Sequence, residues 1–277
     1  EIYCGATKKG WQIKMPDSVP PAVAKSFAAL IPAVLTLSIF LFVNAGLTGF
    51  FNANLHDIIY KVIQTPLVGL GSSIWATLVA IFFVQFLWFF GLHGQILVNS
   101  VMDPIWNTLM LDNLEAYQAG KHLPHIISKS FMETFTVGLG GSGMTLAVVI
   151  IMAFILKKKM YKDVGRLALG AGLFNVNEPV VFGFPIVMNP VMFLPFVLVP
   201  VLAALIVYMA IAVGFMQPFA GVTLPWSTPA IISGFMVAGW QGAVIQIVIL
   251  AMSAFVYFPF VKFQDKIAYN NELKNEE

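Results

Sequence analysis

Glu178 is the residue whose type and surroundings point most directly to chemistry. It is the only formally charged side chain between Leu167 and Val261, and a carboxylate in so apolar a stretch is costly unless it faces a cavity or a pathway. Asn177 precedes it and Pro179 follows it. Because the residue before a proline avoids the helical conformation and proline favours the first helical position, the sequence predicts that a half-helix begins here.

Half-helices that begin inside a membrane build substrate sites in many transporters. The positive end of the half-helix would then point at Glu178, and we expect this carboxylate to face a bound substrate. The alternative is that Glu178 only caps a helix at a wet boundary.

Two further side chains are of types that contact sugars. His93 ends an apolar run, and a neutral imidazole offers one hydrogen-bond donor and one acceptor, which matches sugar hydroxyls. Trp226 lies in Leu-Pro-Trp-Ser-Thr-Pro, and an indole face can stack on the apolar face of a sugar ring. The alternatives are an interfacial histidine and a membrane-belt tryptophan. Trp88 is assigned to the belt or to packing.

The glycine-rich run from Gly138 to Gly143 formally matches the G-x-G-x-x-G pattern of dinucleotide-binding proteins. No strand precedes it and the segment after it is apolar enough for a membrane, so we reject that interpretation. Gly141 and Ser142 instead predict a tight turn at which backbone approaches a ligand. The four histidines lack metal-binding spacing, and Cys4 is the only cysteine, so we expect neither a metal nor a cofactor.

Composition indicates what kind of elements hold these residues. Of the 277 residues, 59% are hydrophobic and 10% are charged, against about 25% charged in soluble domains. The net charge of +2 is too small to favour nucleic acid. Spanning a bilayer takes about 20 apolar residues. The sequence therefore predicts an all-α integral membrane protein with about five transmembrane helices, two re-entrant hairpins and interfacial amphipathic helices.

The uncharged runs place the crossings at about 26–50, 72–92, 143–157, 192–214 and 241–261. We expect an interfacial helix at about 54–64, a re-entrant segment at about 126–142 and a basic cytoplasmic loop at 157–166. The domain prediction is a polar linker over 1–25, a membrane domain over 26–264 and a cytoplasmic tail over 265–277. Five crossings put the linker outside the cell, whereas its lysines favour the inside, and the sequence leaves that conflict open.

Four segments resemble, in the same order, the membrane-embedded enzyme IIC subunits of the bacterial sugar phosphotransferase system. The resemblance is to the lactose, cellobiose and diacetylchitobiose branch. The segments are Met15 to Phe27, Gly91 to Gly94, Gly172 to Pro190 (with its Asn-Glu-Pro) and Pro225 to Gly234.

This resemblance implies a multi-pass permease of the bacterial cell membrane that takes up a disaccharide and phosphorylates its C6 hydroxyl. The phosphoryl donor is a cysteine of a separate cytoplasmic IIB protein, a role that Cys4 does not match. By position, Glu178 would bind the C6 hydroxyl and act as its base, His93 would bind hydroxyls and Trp226 would stack on the sugar. Asn177 and the Gly141-Ser142 turn would be their neighbours.

The family's N-terminal half, about five more crossings that form a homodimer contact, has no counterpart in this sequence. The sequence resembles the C-terminal transport domain, so dimerisation and autonomous transport do not follow for it. Two alternatives stay open. One is an ion- or proton-coupled sugar transporter in which Glu178 carries the coupling charge, and the other is a fragment that does not transport.

Overall fold

The computed structural model describes residues 2–16, 24, 27–51 and 71–276. The chain divides into two compact units, Glu1–Pro66 and Leu67–Glu277. Within the described residues the regular structure is helical and contains no strand. The predicted all-α class is therefore confirmed, while the predicted domain division stays a prediction.

The first unit contains α1, Ile2–Lys8, and α2, Leu30–Phe51, which pack against each other. α1 lies in the segment predicted as a polar linker. α2 coincides with the first predicted crossing, and it is long and apolar enough to span a membrane. The interfacial helix predicted at about 54–64 lies outside the described residues.

The second unit contains the remaining elements. They are α3 (Ile74–Phe89), α4 (Gly94–Gln118), α5 (Lys129–Met132), a π-helix (Glu133–Val137), α6 (Leu146–Phe154), α7 (Lys159–Leu173), α8 (Glu178–Gly183), α9 (Pro190–Ala212) and α10 (Ile232–Glu276). Among the described helices, α9 and the Ile232–Glu272 part of α10 join α2 as candidate membrane spans, and α3 is a shorter apolar helix. They correspond to the fourth, fifth and second predicted crossings.

The third predicted crossing is instead one arm of a buried hairpin. α6 has nine residues, a length of about 14 Å at 1.5 Å per residue, whereas the hydrocarbon core is about 30 Å thick. The chain folds back at the glycine-rich turn, where the Leu146 amide donates to the Leu139 carbonyl (3.1 Å) and the Thr145 hydroxyl donates to the Gly140 carbonyl (2.7 Å). α5 and the π-helix form the other arm.

This hairpin occupies the centre of the unit. Its π-helix packs against both α9 and α10, and α6 packs against α7 and α10. Phe131, Phe135, Leu139 and Met144 are fully buried in the hydrophobic core. The hairpin is therefore a packed platform, and its turn is held rigidly beneath the site described below.

The segment predicted as a basic loop is largely helical, because α7 starts at Lys159. The connection between α6 and α7 is attached to α10 by Asp265, a buried residue at the start of the predicted tail. The Asp265 carboxylate accepts hydrogen bonds from the backbone amides of Lys157 and Lys158, both at 2.9 Å. α10 continues through Glu276, with a break in its helical geometry at Ala238 and Gly239.

We predict that Asp265→Ala destabilises the second unit without altering the site. The two amides would lose charge-assisted acceptors inside the protein, at a cost of about 2–4 kcal/mol. The measurement is the midpoint of thermal unfolding in detergent, followed by helical circular dichroism. Asp163→Ala is the matched control, since Asp163 is exposed. An equal loss in both variants would contradict this role of Asp265.

Candidate functional site

Three interruptions of helical structure meet around the side chain of Asn175. The Asn175 oxygen accepts a hydrogen bond from the Gly140 amide (2.9 Å), and its amide group donates to the carbonyls of Trp226 (2.8 Å) and Thr228 (2.9 Å). Asn175 has a φ of 65°, a conformation that asparagine tolerates better than most residues. One buried side chain thus joins the hairpin turn, the segment before α8 and the Trp226 loop.

Asn177 forms a second link between the same segment and the hairpin turn. Its side-chain amide donates to the Ser142 carbonyl at 3.0 Å, and Ser142 and Asn177 are both buried. Gly141 permits this approach, because it has a φ of 78° and a Cβ there would lie 2.6 Å from the Asn175 carbonyl oxygen. The predicted tight turn is therefore present, and the chain it approaches is the Asn177 segment.

The predicted half-helix is also present. α8 begins at Glu178 with proline in its first turn, and the amides of Val180 and Val181 donate to the Asn177 carbonyl. It has only six residues, so its dipole is small compared with that of a full helix. The Glu178 side chain is 44% exposed and lies at the wall of a cavity.

His93 faces Glu178 across this cavity, held by the start of α4. The His93 Nδ1 accepts a hydrogen bond from the Ile96 amide at 3.3 Å, and its ring packs against Trp88 with centroids 4.6 Å apart. Gly94 lets α3 and α4 approach closely, since a Cβ there would lie 2.0 Å from the Val84 carbonyl oxygen. Because Nδ1 is an acceptor, the neutral imidazole carries its proton on Nε2.

The His93 Nε2 and the nearer Glu178 carboxylate oxygen are 4.0 Å apart. That distance is too long for a direct hydrogen bond, but an oxygen about 2.8 Å from both atoms fits between them at an angle of roughly 90°. His93 would donate to this oxygen and Glu178 would accept from it. The pair therefore matches one hydroxyl group.

All six predicted site residues line one cavity of about 440 Å³, namely His93, Gly141, Ser142, Asn177, Glu178 and Trp226. Its volume lies within the range of about 300–1,000 Å³ typical of small-molecule sites. Trp226 is 65% exposed, while its carbonyl is held by Asn175. Its indole face is thus available to a ligand in the cavity.

The structure adds four polar residues to the cavity that the sequence interpretation missed, namely Gln95, Asn99, Glu133 and Asn175. The Gln95 amide donates to Asn99 at 3.1 Å, and its oxygen accepts from the Ser142 hydroxyl at 3.3 Å. The i, i+4 spacing of Gln95 and Asn99 after His93 was an available signal. Trp88 also lines the cavity and is buried, so of its two proposed roles packing is correct.

His122 and His125 do not line this cavity, and His125 pairs with Asp112 at 3.1 Å. His56 lies outside the described residues. In the described part of the chain, no group of three or more His, Cys, Asp or Glu side chains is arranged to hold a metal ion. The polar side chains of the cavity are amides, carboxylates, two indoles, one imidazole and one hydroxyl. They suit a neutral ligand rich in hydroxyls.

Comparisons with known proteins identify the family of the chain. Residues 1–200 match the family described as "Phosphotransferase system, EIIC". The chain is 55% identical over 268 residues to the oligo-beta-mannoside-specific EIIC component of Bacillus subtilis, covering 96% of this chain and 61% of that one. It is 41% identical over 270 residues to the cellobiose-specific EIIC component of Geobacillus stearothermophilus, covering 96% and 60%.

A solved structure shows the same fold. It is that of ChbC, the IIC component of the N,N'-diacetylchitobiose-specific phosphotransferase system, with a TM-score of 0.78 and 38% identity over 98% of this chain and 63% of ChbC. The chain spans about three fifths of the length of the relatives it matches. The prediction of a multi-pass protein of the bacterial cell membrane is confirmed. The chain belongs to the EIIC family of membrane-embedded components of the bacterial sugar phosphotransferase system.

Proposed function

We propose that the chain carries the sugar site of a phosphotransferase permease component, binds a disaccharide and presents its C6 hydroxyl for phosphorylation during uptake. The observation that carries this proposal is the separation of 4.0 Å between His93 Nε2 and Glu178, which leaves room for one hydroxyl oxygen. The expected sugar belongs to the cellobiose, diacetylchitobiose and lactose class. Relatives named for oligo-beta-mannoside, cellobiose and N,N'-diacetylchitobiose support that class.

Glu178 and His93 have different roles at the reacting hydroxyl. The His93 Nε2–H group donates a hydrogen bond to the C6 oxygen and fixes the position of that oxygen. The Glu178 carboxylate accepts a hydrogen bond from the C6 hydroxyl. As the oxygen attacks phosphorus, Glu178 acts as the general base. Because both side chains are less than half exposed, a bound sugar would exclude most of the remaining water from them.

The buried polar residues keep the cavity walls in place, and Trp226 binds the sugar ring. Its exposed indole face stacks on the apolar face of a pyranose. The Asn177 Nδ2 group donates a hydrogen bond to the Ser142 carbonyl. The Asn177 side-chain oxygen therefore remains available to a sugar hydroxyl. Gly141 and Ser142 keep the hairpin turn against this segment, so their contribution to binding is the shape of the wall.

The phosphoryl group comes from a phosphocysteine on a IIB protein at the cytoplasmic side. The C6 oxygen forms a bond to phosphorus, the sulfur–phosphorus bond breaks and the cysteine leaves as a thiolate, while Glu178 takes the hydroxyl proton. Cys4 is a free, exposed cysteine and has no part in this step. The IIB protein is therefore the partner that the site requires.

One observation favours ion- or proton-coupled transport as a second candidate. That mechanism calls for another carboxylate or a basic partner in the same pathway, and Glu133, which pairs with Lys129, lines the same cavity. Membership in a phosphotransferase family supports group translocation more strongly than Glu133 supports ion coupling. A direct assay separates the two mechanisms.

We predict that membrane vesicles containing the protein accumulate disaccharide only as its phosphorylated form. The vesicles would receive radiolabelled cellobiose, with and without the cytoplasmic phosphoryl carriers and phosphoenolpyruvate, and the internal product would be separated by chromatography. Label should accumulate as sugar phosphate when the carriers are present. Accumulation of free sugar, driven by an ion gradient without the carriers, would contradict group translocation and support the second candidate.

We also predict that Glu178→Gln reduces phosphorylation by at least about 100-fold while sugar affinity falls by less than about tenfold. The amide can still hydrogen-bond a hydroxyl but cannot take its proton. Phosphorylation rates and calorimetric affinities would be measured on the same preparation. Glu115→Gln is the matched control, since Glu115 is exposed outside the cavity. An equal loss of affinity and rate would make Glu178 a binding group only.

A further inference from the structure

We propose that Glu133 is a specificity residue, whose carboxylate binds hydroxyls of the second ring of the disaccharide and thereby selects disaccharides over single sugars. This inference rests on the proposed function. It gives a role to a carboxylate that the chemistry at the C6 hydroxyl does not use. Lys129 is the positioning residue that holds Glu133 in place.

The first support is where Glu133 lies. Glu133, Asn175 and Trp226 line the main cavity and also line a smaller adjoining one. His93 and Glu178 line only the main cavity. A sugar ring whose C6 hydroxyl lies between His93 and Glu178 would therefore leave the region near Trp226 and Glu133 for the next ring.

The second support is how firmly the Glu133 carboxylate is held. The Lys129 ammonium lies 2.9 Å from one Glu133 oxygen and also binds the Asp103 carboxylate on α4. The Lys129 side chain is only 10% exposed, whereas that of Glu133 is 32% exposed. Burying an ammonium is costly unless its partners are held in good geometry. The lysine thus immobilises a carboxylate that remains open to the cavity.

The backbone beneath Glu133 is fixed as well. Glu133 begins the π-helix, a local widening that is frequent at functional sites. The Gln246 amide on α10 donates to the Thr134 carbonyl at 2.8 Å, and the Gln246 oxygen accepts from the Ile231 and Gly234 amides. Gln246 therefore ties the π-helix to the segment that follows the Trp226 loop.

The chemistry of a carboxylate defines what it recognises. Two oxygens offer about four acceptor positions, of which Lys129 uses one on Glu133. The others suit two adjacent hydroxyls of a neutral pyranose ring. The inference requires that a single sugar bound at Glu178 does not reach this carboxylate, so that Glu133 contributes only when a second ring is present.

The experiment compares sugars of two lengths on the full chain in detergent. Affinities for cellobiose, for β-1,4-mannobiose and for their single-ring methyl β-glycosides would be measured by calorimetry. We expect Glu133→Gln to weaken binding of the preferred disaccharide by about tenfold. The affinity of the matching single-ring glycoside should change by less than about twofold.

Two further variants separate recognition from folding. Asp103→Asn removes the other partner of Lys129 but keeps the Glu133 carboxylate, so it should retain disaccharide affinity within about threefold. Glu133→Asp keeps the charge but withdraws the carboxylate by one methylene. It should show the same selective loss of disaccharide affinity, and it replaces Glu133→Gln in the test if that variant does not fold.

The outcomes are distinct. Undiminished disaccharide binding by both Glu133 variants would overturn this inference but not the proposed function. An equal fall in affinity for one-ring and two-ring sugars would do the same. A fall in Asp103→Asn as large as in Glu133→Gln would reduce Glu133 to a structural partner of Lys129. If the unmodified chain bound none of cellobiose, mannobiose, lactose and diacetylchitobiose, the proposed function would fail and the inference with it.

Discussion

The hydrogen bonds of Asn175 are the constraint on which the site depends. Each break in a helix inside an apolar protein frees backbone groups, and leaving one unpaired there costs several kcal/mol. Asn175 lies in one such break and satisfies backbone groups of two others, because it bonds the Gly140 amide and the Trp226 and Thr228 carbonyls. Asn177 and Gln246 do the same between neighbouring segments. Satisfying the backbone therefore determines where the hairpin turn, α8 and the Trp226 loop meet.

The residues proposed to contact sugar follow from that arrangement. The linking side chains are buried and their bonds are internal, whereas His93, Glu178 and Trp226 keep exposed polar or aromatic surface toward the cavity. His93 and Glu178 stand 4.0 Å apart, so neither consumes the other's hydrogen-bonding capacity. The cavity thus has rigid walls and free functional groups, which is the condition for orienting a hydroxyl for transfer.

The sequence predicts the features that depend on local rules. Long uncharged runs locate α2, α9 and α10, and the Asn-Glu-Pro segment locates the start of α8. It does not predict that 146–154 is an arm of a hairpin, because an apolar run reads alike whether it faces lipid or protein. Nor does it predict the place of Glu133, because a charged side chain among other polar residues is mostly exposed to water. Its place in the cavity arises from long-range packing of the hairpin against α9 and α10.

The most direct test of this account is an experimental structure of the protein with a bound β-linked disaccharide. The account predicts that one primary hydroxyl lies within about 3.2 Å of both His93 Nε2 and a Glu178 carboxylate oxygen. It also predicts that a pyranose ring stacks on Trp226. A sugar whose primary hydroxyl contacts neither His93 nor Glu178, or that binds outside this cavity, would contradict it.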